Sequence, residues 1–381
     1  MPQLVELLDD CGLEVKGVLE AGSDVVFQIE TLANRGDHLH VLGVARELSA
    51  RLLTAIHLPA VSSALSDRNP SVVVRNETEN CMRYHLLEMT LPEGMQLSKE
   101  VSQVLAARLD SDVESLETRA DRHVIVDYLN YISLELGHPM HAFDKEKIEG
   151  EIIVHMLDAE TEVEALDGNT YKVPANSIVI KDRKKIVAVA GVIGCANSMV
   201  TPSSTRVLIE AAAFDPVLVR KCARAMGIST DASYAFERGV DPEGIEFALK
   251  RLCHLTQGGG GSVQGAAGTD VLGHSLAKGK ELSYPTISLD VRKVRAQMNL
   301  PRLDQVEITS RLKHYGFALE ATQDKFIYQV QVPTWRVWDV ESEEDLIEEF
   351  VRARGYNTVK LSLPPLDYEP PEDNALDSLM Y

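Results

Sequence analysis

Four groups of residues have types and spacings that could do chemistry. His141 falls in Pro139-Met140-His141-Ala142-Phe143-Asp144, in a loop just past a helical pattern. A loop histidine beside a cleft can orient a polar ligand or shuttle a proton, and it can equally be an ordinary half-buried side chain. Glu210 interrupts the apolar run Val207-Leu208-Ile209-Glu210-Ala211-Ala212, where strand alternation sets it on the face of Leu208 and Ala212. Such a carboxylate either lines a polar pocket or points to solvent, because burial without a partner is costly. Residues Thr230 to Pro242 (TDASYAFERGVDP) concentrate small hydroxyl residues between two helical patterns, as a substrate-facing loop or as a cap-and-turn linker. Asp339 to Glu349 holds seven carboxylates in eleven residues, with Asp345, Glu348 and Glu349 on one helix face. Crowded oxygen ligands suit Mg²⁺, although acids in a first helical turn also complement the macrodipole, and residue type alone favours the dipole.

No signature of a self-contained enzyme accompanies them: P-loop, HExxH and GxSxG patterns are all missing from the sequence. Gly191 and Gly194 read as tight backbone positions rather than a phosphate loop.

The elements that must position these residues follow from periodicity. A short helix begins at Leu4 and stops at Gly12, a strand runs Asp24 to Leu32, and Asp37 is expected to cap a helix carrying Leu42, Ala45, Leu48 and Leu52. Residues 59–70 form a Ser/Ala/Pro-rich linker. Strand Tyr84–Leu91, a helix capped by Ser98 and a helix from Ile125 to Leu136 with Gly137 as its stop come next. Short strands follow around an Asp167-Gly168 hairpin, ending in Arg206–Ala212. Asp215-Pro216 and Asp241-Pro242 are expected to open two further helices. The run Gly258–Gly261 and the segment to Lys280 read as an extended surface linker. From Ser283 the pattern is helix, helix, strand and acidic helix to Gly355, then an acidic Pro-rich tail.

With 381 residues, 45% hydrophobic and 25% charged, the chain holds more than one ordinary domain. A net charge of -20 argues against a long basic face for nucleic acid. No apolar stretch approaches the roughly 18 residues of a membrane span. Five dispersed cysteines, without a CxxC pair, point to a reducing cytoplasm and against a disulfide framework.

Taken in order, several runs resemble the β subunit of bacterial phenylalanyl-tRNA synthetase. They are Asn34-Arg35-Gly36-Asp37-His38-Leu39 through Gly43-Val44-Ala45-Arg46-Glu47, Leu134 through Asp144 (LELGHPMHAFD), Leu166-Asp167-Gly168 and Thr230-Asp231-Ala232-Ser233. Phe236 through Pro242 (FERGVDP) and Trp335-Arg336 leading to Glu343 through Glu349 complete the set. The resemblance spans Leu4 to about Leu361.

It implies a multi-domain α+β chain: an N-terminal B1-like α/β unit over 1–65, a mixed α/β B3/B4-like tRNA-editing domain over 70–270, a winged-helix-like B5 module over 283–361 and a linker over 362–381. The editing pocket that hydrolyses Tyr-tRNA(Phe) would fall on His141, Gly194, Glu210, Thr230 and Ala232, with Glu210 taking the tyrosine hydroxyl. His141 and Thr230 would place the ester and water, and Gly194 and Ala232 would keep the wall small. Asn130 would be a further substrate contact, although Leu129 stands where the family carries a threonine. Mg²⁺ would sit on Asp339, Asp345, Glu348 and Glu349. The implied partners are the synthetase α subunit, in a heterotetramer, and tRNA(Phe), in the cytoplasm, with neither membrane nor DNA. The OB-type insertion and the C-terminal half are expected to be missing, and aminoacylation would belong to the α subunit.

Overall fold

The computed structural model describes residues 2–21, 24–108, 123–258 and 269–359. Helix α1 (Pro2–Asp10) is followed by Gly12 at φ 77°, and its Leu8 packs with Cys11 and Leu13. Strands β1 (Val15–Ala21) and β2 (Asp24–Ile29) pair antiparallel. Helix α2 (Val41–Leu52) is capped by His40, whose Nδ1 accepts the Gly43 N–H at 3.2 Å, rather than by Asp37. Asp37 instead accepts two 2.8 Å hydrogen bonds from Arg35 in the turn before the helix. A buried guanidinium binds a carboxylate more strongly than an orphan helix N–H does.

The central residues build two larger sheets and a separate two-stranded hairpin. Strands β3 (Val74–Asn76) and β4 (Cys81–Thr90) precede α3 (Lys99–Arg108) and α4 (Val124–Leu136). Ser98 accepts the Val101 N–H ahead of the first helix, and Gly137, left-handed at φ 77°, closes the second. Then come β5 (Met140–Asp144), β6 (Ile152–Met156), and the hairpin strands β7 (Thr161–Glu164) and β8 (Thr170–Val173). Strands β9 (Ile178–Lys181), β10 (Ile186–Val189), β11 (Ile193–Gly194) and β12 (Arg206–Phe214) complete the run. Helices α5 (Pro216–Met226), α6 (Asp231–Phe236) and α7 (Ile245–Thr256) lead to β13 (Asp270–Lys278).

One sheet has the order β13-β4-β12-β5 and the other β11-β10-β9-β6-β3. On β12, Leu208, Ala212 and Phe214 enter one core, while Val207, Ile209, Ala211 and Ala213 enter a second one. Three expectations change here. His141 lies on β5, a strand held by β12, and not in a loop. The segment before Lys280 is extended, but it pairs with β4 as an edge strand. Helix α7 starts at Ile245, because Asp241 turns back to accept the Glu243 N–H at 3.0 Å.

The last described unit sets β14 (Thr286–Asp290), β15 (Ala318–Ala321) and β16 (Ile327–Gln331) in a three-stranded sheet of order β14-β16-β15. Helices α8 (Val291–Gln297), α9 (Gln305–His314) and α10 (Glu343–Arg354) share its core, giving a winged-helix-like α+β module. Strands β14 and β15, of five and four residues, are too short to stand out in the sequence. The expected tail over 362–381 lies outside the described residues. All five cysteines are buried and free, and no described helix is long and apolar enough to cross a membrane.

A buried charge network joins the first and last units. Glu47 is 0% exposed and receives His38 Nε2 at 2.7 Å, the Tyr315 hydroxyl at 2.7 Å and Arg352 at 3.2 Å, besides Arg35. Arg336 donates to Glu349 at 2.7 and 3.0 Å and to Asp339 at 2.9 Å. Burial alone would raise the Glu47 pKa, but Arg35, His38 and Arg352 hold it well below its usual 4.5. Its stabilisation is therefore present above pH 4.5 and lost as pH falls below it. Glu47→Gln should destabilise the chain by about 3–5 kcal/mol at neutral pH, since it strands buried guanidinium charge. Urea unfolding should show that gap narrowing on acidification; a gap independent of pH would contradict the assignment.

Candidate active site

Strand pairing puts the candidate residues together. Glu210 on β12 is the register partner of His141 on β5 and of Leu86 on β4. Adjacent partners on one face stand within side-chain reach. Glu210 is 6% exposed, and the Tyr84 hydroxyl donates to its Oε2 at 2.7 Å. Burial pushes the Glu210 carboxyl up to about 7, with the Tyr84 hydrogen bond opposing. Burial and the Glu210 charge together raise the Tyr84 phenol above its usual range. The sequence reading missed Tyr84, because 126 residues separate it from Glu210 and only the β4–β12 register unites them.

His141 stands edge-on to Phe143, with ring centroids 4.6 Å apart. Burial brings its pKa down to about 4, so the imidazole is neutral at pH 7. Its Nε2 is covered and has no hydrogen-bond partner among the described residues. Gly194 is needed beside it, because a Cβ there would lie 2.4 Å from His141 Cε1 and 2.7 Å from Nε2. His141, Gly194, Glu210 and Ala232 line one small cavity of about 70 Å³, walled by Val192 and Phe236 among others.

Thr230 and Asn130 are placed differently. Thr230 Oγ1 donates to the Val192 carbonyl at 2.7 Å and accepts the Ser233 N–H at 3.0 Å, capping α6. Its hydroxyl thereby pins α6, and with it Ala232, against the cavity wall. The hydroxyl-rich segment is thus a short capped helix rather than an open loop. Asn130 lines a neighbouring cavity of about 340 Å³ with Leu129 and Asp231, and the two cavities share Pro139, Met140 and Ala232.

The four acidic positions of the last unit do not fit a metal centre. Asp339 and Glu349 both hold the Arg336 guanidinium, and Asp345 Oδ2 accepts the Glu341 and Ser342 N–H groups in the α10 capping box. Glu348 is exposed and makes no convergent set with them. A guanidinium already supplies the positive charge a cation would bring, and Asp345 is spent on backbone donors. Asp37, His38 and Glu47 do converge, but Arg35 is bonded to both of those carboxylates.

Residues 94–259 match the B3/4 domain family and residues 287–356 the tRNA synthetase B5 domain family. That pairing defines a chain of the aminoacyl-tRNA synthetase class. The chain is 34% identical, over 88% of its length, to the phenylalanine–tRNA ligase β subunit of Pseudoalteromonas translucida, covering 40% of that protein. It is 32% identical over 99% of its length to that of Rhodopirellula baltica, covering 53%, and 36% identical over 93% to that of Carboxydothermus hydrogenoformans, covering 42%. A solved N-terminal fragment of the phenylalanyl-tRNA synthetase β subunit from Pyrococcus horikoshii matches at TM-score 0.47 and 15% identity, over 92% of this chain and 93% of that one. The chain belongs to the phenylalanine–tRNA ligase β-subunit family, and it spans about half the length of the curated relatives it matches.

The raised Glu210 pKa has a consequence for stability. The folded state keeps its proton while the unfolded state loses it, so stability falls as pH rises from 4.5 through about 7. Relative to Glu210→Gln, the native chain should lose up to about 3 kcal/mol across that interval. Denaturant unfolding of both proteins between pH 4 and 8 measures it, and parallel pH profiles would exclude a buried, titrating Glu210.

Proposed function

We propose that this chain acts within a phenylalanine–tRNA ligase by hydrolysing tRNA(Phe) mischarged with tyrosine, while its remaining surfaces support the α subunit in the cytoplasm. One observation carries the reading: a single buried carboxyl, Glu210, faces a cavity whose other walls, apart from the His141 imidazole, are apolar or small. Tyrosine differs from phenylalanine by one hydroxyl. A hydrophobic pocket rejects an added hydroxyl poorly, whereas a site built to hydrogen-bond it discriminates strongly. Glu210 would accept that hydroxyl, using the oxygen that Tyr84 leaves open.

The roles of the other residues follow from their contacts. Gly194 keeps space beside the imidazole, and Ala232 keeps the opposite wall short. His141, neutral with a pKa near 4, is a weak base at pH 7 and is suited to orienting the ester or the attacking water. Thr230 acts through α6 rather than by touching substrate. The cavity is smaller than the roughly 150 Å³ that accommodates benzene, so a tyrosyl ring enters by widening it toward the adjoining space. That larger cavity, with Asn130 on its wall, would take the terminal ribonucleoside. The division into units 1–65, 70–270 and 283–361 is part of the same proposal. No step uses Mg²⁺.

Glu210→Ala should slow clearance of Tyr-tRNA(Phe) by about one to two decades, the equivalent of the 1.5–3 kcal/mol lost with a hydrogen bond to a charged group. Deacylation assays on the α/β enzyme test this: an unchanged rate in the variant would sink the assignment of Glu210, and no clearance by the native enzyme would leave a non-editing scaffold as the better reading. His141→Ala should lower the deacylation rate while preserving the shape of its pH profile. A profile that goes flat where the native enzyme titrates would make His141 the general base instead.

A further inference from the structure

A third cavity, of about 250 Å³, opens where the three units meet; it shares no lining residue with the one that holds Glu210 and borders the 340 Å³ cavity along Gly36, Gly137, Gly239 and Val240. Four charged side chains line it: Asp37, Arg46, Asp241 and Glu243. Two of them are spoken for. Asp37 holds Arg35, and Glu243 takes Arg83 at 2.7 Å and the Tyr284 hydroxyl at 2.8 Å.

Arg46 and Asp241 are left. The Arg46 guanidinium lies over the Trp335 ring, 3.7 Å from its centroid, and has neither an ion-pair nor a hydrogen-bond partner among the described residues. Burial brings it down to about 10, so it remains a cation at neutral pH. Stacking uses the face of the guanidinium and leaves its in-plane N–H groups for an acceptor. Asp241 Oδ1 is bonded to the Glu243 N–H, while Oδ2 has no partner among the described residues. Asp241 is also the larger of the two attractive charges that Arg46 feels, yet the two do not pair. The turn bearing Asp241 is fixed from outside: Trp338 donates to the Val240 carbonyl at 3.2 Å, and Gly239, at φ 90°, leaves no room between them.

The remaining walls are neutral. His40 and His138 are held uncharged by burial, near 3 and 4 respectively. His138 is 5% exposed, and its Nδ1 has no partner among the described residues. Leu42, Leu136, Val240 and Phe247 supply apolar surface.

A phosphate would pair with Arg46 and be repelled by Asp241. A simple amine would do the reverse. A zwitterion satisfies both, with its carboxylate on the guanidinium edge and its ammonium on Asp241 Oδ2, and the apolar walls take a hydrocarbon side chain. We propose that this cavity binds a free α-amino acid with an apolar or aromatic side chain, at a site separate from the cavity that holds Glu210.

Calorimetric titration of the 381-residue chain tests the proposal. L-phenylalanine should bind, while phenylalaninamide, which lacks the carboxylate, and 3-phenylpropionate, which lacks the ammonium, should each bind at least about tenfold more weakly. Because these comparisons use the unaltered protein, they do not depend on a variant folding. Arg46→Lys, which keeps the charge and loses the fork, and Asp241→Asn should each weaken L-phenylalanine binding by about tenfold or more. Absence of L-phenylalanine binding at millimolar concentration, equal affinity for either truncated probe, or full affinity in Asp241→Asn would overturn it.

Discussion

The structure depends on a strand that is covered on both faces. β12 is buried from Val207 to Phe214 and sits between β4 and β5, so its two faces feed two separate cores. Seven of those eight residues are apolar, and the eighth is Glu210. A carboxyl there cannot reach solvent without breaking the sheet, so it must hold its proton, find a donor or do both. Tyr84 supplies the donor and burial favours the proton. The cost is tolerable because the surrounding core fixes the geometry. The result is one carboxyl in a wall that is apolar apart from His141, held by backbone pairing rather than by a loop. A site built this way loses little precision to side-chain motion, and its neighbour His141 is fixed by the same ladder.

The second constraint is electrostatic. A chain with net charge -20 buries Asp37, Glu47, Asp339 and Glu349 together and neutralises them with Arg35, Arg336 and Arg352, with His38 hydrogen-bonded to Glu47. Removing any one partner leaves a buried charge, so the network couples the N-terminal helix α2 to the winged-helix-like module as one structural body. Ala50 of α2 lies inside that module's core, and Arg311 donates to the Ala50 and Arg51 carbonyls. The first sixty residues are thus packed as an adaptor between the other two units.

Much of this was legible in the sequence. Helix stops at Gly12 and Gly137, the cap at Ser98, the Asp167-Gly168 hairpin and the face occupied by Glu210 all follow from local rules, because each depends on residues within a turn or two. What could not be read depends on partners distant in the chain. Asp37 looks like a helix cap until Arg35 is seen folded onto it in a shared core. His141 looks like a loop residue because β5 has only five residues and its strand character comes from β12. The resemblance sets Mg²⁺ on the acidic run, whose spacing shows the carboxylates but not the arginine that holds Asp339 and Glu349. Tyr84 was missed for the same reason, and the hydrogen bond from the Thr230 hydroxyl to the Val192 carbonyl, 38 residues away, is equally invisible in the spacing.

The most direct measurement is the rate at which this chain, assembled with the α subunit, deacylates Tyr-tRNA(Phe) and Phe-tRNA(Phe) side by side. The account predicts rapid loss of the tyrosyl ester and retention of the phenylalanyl ester, because only the first offers Glu210 a hydroxyl. Equal rates for the two esters, or no hydrolysis of either, would contradict it.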